Sequence, residues 1–133
     1  MGARVYVFGF SEGEKELIDR SLEGLGAPPT VRILSNQSDV VLGDIVSQGR
    51  QGTGSLDESQ MVVLFHELSN QGVYTIMNTI KSLDVAKPIF AVITEQSIQW
   101  TFAELLDHLV REREAFERSN ASGRDAGNDT GQS

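Results

Sequence analysis

The sequence predicts an α/β domain: a four-stranded, mainly parallel sheet in the order 2-1-3-4, built from two βαβ units, with helices on both faces. Three observations carry this reading. Met61-Val62-Val63-Leu64-Phe65 and Ile89-Phe90-Ala91-Val92-Ile93 are unbroken apolar runs, as strands buried on both faces require. Between them Val73, Ile76, Met77, Ile80 and Leu83 recur at helical spacing. The same order of apolar run, serine, helix, proline break and apolar run occurs earlier, from Val5 to Leu34. Ser11 and Ser69 lie at the same offset from Val5 and Val63, as an internal duplication would leave them. A ferredoxin-like α+β sandwich is the alternative. It would need a one-sided sheet, which the continuous strands disfavour.

The first strand is expected from Arg4 to Phe10, with Val5-Tyr6-Val7-Phe8 as its core. Ser11 and Glu14 have capping-box spacing and open a helix with Leu17, Ile18, Ser21, Leu22 and Leu25 on one face. Gly26 suits the position after the helix, and Pro28-Pro29 prevents its continuation. Thr30 to Leu34 reads as a short strand. Val40 to Val46 fits either a helix capped by Ser38 or Asp39 or a fifth strand, with Gly43 weakening both. Ser47 to Ser59 is polar and glycine-rich, a mobile loop. Thr94 to Trp100 is a connecting loop. Thr101 and Glu104 form a second capping box before a last helix with Phe102, Leu105, Leu106, Leu109 and Phe116 inward. One domain is expected over 1–118, and a disordered tail over 119–133, which lacks large apolar residues.

Bulk properties exclude several functions. There are no cysteines, so thiolate metal sites, disulfides and cysteine nucleophiles are absent, and a reducing cytoplasm suits the chain. A net charge of −8 without a basic cluster argues against nucleic acid and anionic membrane surfaces. No apolar stretch approaches the roughly 20 residues that span a bilayer. Two histidines, His66 and His108, lack metal-ligand spacing. Gly49 to Ser55 lacks the Gly-Lys-Ser/Thr ending of a phosphate loop. No cofactor is expected.

Thr94, Trp100, Thr101, Glu104, Leu105 and Leu106 form a T, five-residue gap, W-T-x-x-E-L-L pattern after a buried strand. In this the second half of the chain resembles the domain of unknown function 3783 family of bacteria and archaea. The resemblance implies a small prokaryotic α/β domain and supplies no catalytic residues. Glu95-Gln96 stands where the family pattern has Glu-Asn.

In a parallel sheet, ligands bind beyond the carboxyl ends of the strands, at the switch point between strands one and three. Gly9 and Ser11 would there face His66, Glu67 and Ser69, with two helix N-termini converging as an anion site. Simple capping accounts equally for both serines. Trp100 is either a hydrophobic staple onto the last helix or an anchor for a partner. The leading functional expectation is a non-catalytic protein-interaction or regulatory module, binding a protein partner or itself. The alternative is a small anionic-ligand-binding or catalytic site at the ends of strands one and three.

Overall fold

The computed structural model describes residues 3–127 except 28, 57–59, 84 and 86, with side chains to residue 117. Four strands form one sheet: β1 (Arg4–Phe8), β2 (Thr30–Arg32), β3 (Val62–His66) and β4 (Ile89–Val92). The helices are α1 (Glu12–Gly24), α2 (Leu42–Gln48), α3 (Asn70–Lys81) and α4 (Phe102–Gly127). Two 3-10 turns, Ser35–Gln37 and Ser97–Gln99, precede α2 and α4. The chain divides into two compact units, 1–102 and 103–133.

The strand order is β2-β1-β3-β4, as expected, but the sheet is mixed. β1 runs parallel to β2, and β3 to β4, as each βαβ crossover demands. β1 and β3, however, pair antiparallel, with Arg4 opposite His66 and Phe8 opposite Val62. The expectation of a mainly parallel sheet is therefore corrected. Continuous apolar strands report that both faces are covered; they carry no information on direction across the seam between two βαβ units. The ferredoxin-like alternative is not formed either, since elements cover both faces.

Val5, Val7, Val63 and Phe65 point to one face, where they bury Ile18 and Leu22 of α1 with Ile76 and Ile80 of α3. Leu17 and Leu25, expected on the same buried face, are left partly exposed. Tyr6, Phe8, Val62 and Leu64 point to the opposite face, where Leu42 and Ile45 of α2 and the Phe102 ring are buried.

The loose sequence repeat is a structural repeat about an approximate two-fold axis between β1 and β3. Ser11 accepts from Glu14 N–H at 3.2 Å and Ser69 from Gly72 N–H at 3.0 Å, each capping its helix. Glu14 completes the first capping box by accepting from Ser11 N–H at 2.9 Å. Ile33 N–H donates to Val7 O, and Ile93 N–H to Phe65 O, both at 2.8 Å. Gln37 Oε1 accepts from Leu34 N–H at 2.8 Å; Ser97 Oγ accepts from Thr94 N–H at 2.9 Å. At the axis Val41 and Thr101 form an antiparallel bridge, with Leu42 N–H donating to Trp100 O at 2.8 Å and Phe102 N–H to Val40 O at 3.2 Å.

The ambiguous stretch resolves as helix α2 rather than a fifth strand. Its cap position is Val41, without a side-chain cap, rather than Ser38 or Asp39. Gly43 permits a close approach of α2 to the second 3-10 turn, since a Cβ there would stand 3.3 Å from the Ile98 carbonyl oxygen. Asp39 instead accepts from Thr53 Oγ1 at 3.1 Å and from Gly54 N–H at 3.2 Å. Burial would raise its carboxyl, but the hydrogen bonds from Thr53 and Gly54 together outweigh it and hold the group below its usual range. Gln37 Nε2 also donates to Arg50 O at 2.8 Å, so 50–54 is tied to the preceding turn, not the free connector expected. Residues 57–59 lie outside the described residues.

Helix α4 begins one residue after Thr101, as the capping-box spacing anticipated. It continues to Gly127, so 119–127, expected to lack structure, is helical in backbone; 128–133 lie outside the described residues. Leu105 and Leu106 are buried, whereas Phe116, expected inward, is 67% exposed.

Candidate functional site

The antiparallel seam separates the residues expected to converge. Gly9 and Ser11 follow Phe8, beside Val62. Glu67 and Ser69 follow His66, beside Arg4. The two groups lie at opposite ends of the sheet, roughly 13 Å apart along the strands at the usual rise. His66 and Glu67 stay together, with His66 Nε2 3.9 Å from a Glu67 carboxylate oxygen. The proposed convergence of two helix N-termini does not occur. Trp100 is half-buried, its backbone committed to Ser97 and Leu42.

What His66 meets is a different set of residues. Arg4 lies directly opposite it on β1, and cross-strand partners of this kind hold their Cβ atoms about 5 Å apart on one face. Tyr6, two residues on, points to that same face. Together with Glu67 these side chains line a cleft of about 400 Å³. Its remaining wall is Gly43, Val46 and Ser47 of α2 and Ile98 of the second 3-10 turn. The volume lies within the range of small-molecule sites, which pair apolar walls with a few placed polar groups.

The polar groups of the cleft differ in their commitments. Among the described residues, Arg4 has no carboxylate within salt-bridge distance. Ser47 Oγ donates to the Gly43 carbonyl at 2.6 Å, a local helix bond. Burial pushes the Tyr6 phenol above its ordinary value; the Arg4 charge opposes that shift and the Glu67 charge adds to it. Tyr6 is thus a neutral donor at the cleft floor, flanked by charges of opposite sign. Glu67 holds a left-handed backbone, φ 60°, the only positive φ outside glycine among the described residues.

At the other end of the sheet the equivalent positions are filled. Phe8 takes the place of His66 and Phe102 that of Leu42, their rings meeting edge to face at 4.9 Å between centroids. Gly9, φ 87°, takes the place of Glu67. Sequence reasoning found His66 and Glu67 but missed Arg4, Tyr6 and Ser47. Arg4 at the first position of an apolar strand was the available signal, usable only with the antiparallel register.

No group of three or more His, Cys, Asp or Glu able to hold a metal is found among the described residues. No helix described is long and apolar enough to cross a membrane. No curated protein and no solved structure matches the chain. Residues 61–116 match a family described as Domain of unknown function (DUF3783).

Proposed function

We propose from the geometry that the chain, whose residues 61–116 match the DUF3783 family, is a non-catalytic regulatory module. It binds a small anionic ligand in the cleft of Arg4, Tyr6 and His66. The observation that carries this reading is the Arg4 guanidinium, which has no carboxylate partner among the described residues and stands over a cleft with a neutral phenol and an imidazole. Arginine offers several donors in a planar fork suited to a carboxylate or phosphate. The Ser47 hydroxyl donates to Gly43 O rather than to a base, which supports binding over nucleophilic chemistry. The absence of cysteine supports a reducing, cytoplasmic setting.

Thermal shift with inorganic phosphate and a set of small carboxylates tests the proposal, since ligands of the native state raise Tm by mass action. A rise in the parent protein that disappears in Arg4→Gln is expected. An equal rise in both proteins would remove the cleft from consideration.

A second reading, docking of a protein partner or a second copy, is favoured by β4. It is an outer strand of the sheet, and Val92 on it is 48% exposed. Val92→Lys should then reduce self-association seen by light scattering; a monomer at every concentration would count against pairing with a second copy.

A further inference from the structure

The two ends of the sheet differ at one backbone position, and the difference bears on the charge of the ligand. Gly9 has φ 87°, and a Cβ there would collide with the Gln60 carbonyl, so only glycine fits. The corresponding turn after β3 is also left-handed, but carries Glu67 at φ 60°. Glycine adopts this conformation freely, while a residue with a Cβ pays for it. Strained positions of this kind concentrate where a side chain is used.

The strained turn delivers a carboxylate to the rim of the cleft. Glu67 is 52% exposed at its side chain and reaches His66 only at 3.9 Å, a loose contact. It makes no salt bridge with Arg4, so the cleft keeps its cation and its anion apart. The two charges act with opposite sign on the phenol between them. Val46 and Ile98 add an apolar wall. A plain anion would satisfy Arg4 and be repelled by Glu67. A molecule carrying both signs on neighbouring atoms would satisfy both.

We propose that the cleft takes a zwitterion of the α-amino-acid class. The ligand carboxylate pairs with Arg4, its ammonium with Glu67, and an apolar side chain lies against Val46 and Ile98. This rests on the reading of the cleft as an anion site and narrows it.

The test is calorimetric titration of the full chain with leucine, phenylalanine and glutamate, each beside the same molecule lacking its amine: 4-methylpentanoate, 3-phenylpropanoate and glutarate. At least one amino acid should bind about tenfold tighter than its des-amino partner, the size of one well-placed charged contact. In Glu67→Gln that advantage should vanish while the des-amino acid binds as before. In Arg4→Gln both should weaken. Glu67→Gly should lose the advantage and at the same time raise Tm without ligand, a gain that a purely structural glutamate would not give. If the des-amino acids bind as well as the amino acids, the zwitterion inference fails and the anion site stands. If none of the six ligands binds, or binding is indifferent to Arg4→Gln, both readings fall.

Discussion

The sheet has two equivalent ends, and they have been put to different uses. At one, Phe8, Phe102 and Gly9 fill the space beneath the turn with packed rings and a glycine fitted against Gln60. At the other, His66, Leu42 and Glu67 hold the same three positions and leave a cleft. The backbone hydrogen bonds of Ile33 and Ile93, and of Leu42 and Phe102, correspond, so at these points the frame does not distinguish the ends; the side chains do. A repeated unit can thus keep one copy of a position for stability and release the other for binding.

Substitution at the paired positions can break this comparison. The largest effect is expected for Phe8→Ala, about 3–5 kcal/mol by urea unfolding, because a fully buried ring leaves a cavity. His66→Ala, at the equivalent site, should cost below about 1 kcal/mol, since it borders a cleft already open. Equal losses would mean that the ends are energetically alike. Gly9→Ala comes next, at about 2 kcal/mol, from positive φ and the collision with the Gln60 carbonyl. An alanine tolerated there would show that the Gly9 turn can relax, and the contrast with Glu67 would lose its basis.

A third contrast lies between α1 and α3. Asp19 accepts from Thr30 N–H at 2.8 Å and from Thr30 Oγ1 at 2.6 Å, and pairs with Lys15 at 2.8 Å. Met77, at the equivalent place on α3, packs against the core instead. Burial would raise the Asp19 carboxyl, but the Lys15 and Thr30 contacts outweigh it and hold it below its ordinary 3.8. Its folded value being depressed, its contribution is complete above 3.8 and disappears as pH falls through the folded value. Asp19→Asn should cost about 1–2 kcal/mol at neutral pH and flatten the acid limb of the stability curve. An unchanged acid limb would show that Asp19 is not the group responsible.

The smallest effect is expected at Tyr6. Its raised folded value means that the unfolded phenol ionises first. The associated stability is therefore complete below 10.0 and is lost as pH rises through the folded value. Tyr6→Phe should remove that alkaline loss while changing stability at neutral pH by under about 1 kcal/mol. Circular dichroism melts of both proteins across alkaline pH would show it, and parallel curves would argue that Tyr6 ionises freely.

Much of the frame was legible because it rests on local chemistry. Ser11 with Glu14 is a helix start readable from spacing, Ser69 one readable from its matching offset, and the apolar runs of β1 and β3 announce coverage of both faces; that of β4 misleads, since Val92 is 48% exposed. What was not legible depends on pairs remote in sequence. Nothing in Val5–Phe8 or Val62–Phe65 says which way one strand runs past the other, since both directions bury the same side chains. That one unknown moved the site: it parted Ser11 from His66 and brought Arg4 and Tyr6 to it. The glycine-rich segment was misread for a related reason. Its polar composition suggests freedom, whereas Asp39 and Gln37, at a distance, hold it.

The reciprocal bonds at the two-fold axis, between Leu42 and Trp100 and between Phe102 and Val40, have a consequence for biosynthesis. They join segments from opposite halves of the chain, so they cannot form until the second half has left the ribosome. At common elongation rates Phe8 emerges roughly five to twenty seconds before Phe102, the ring that covers it. Throughout that interval the α2-side face of β1 has no complete cover, and β1 lacks β3 along one edge. The nascent first half is therefore expected to expose apolar surface that holding chaperones recognise. Slowing translation between Gln60 and Phe102 should deepen that dependence and lower the yield of folded protein.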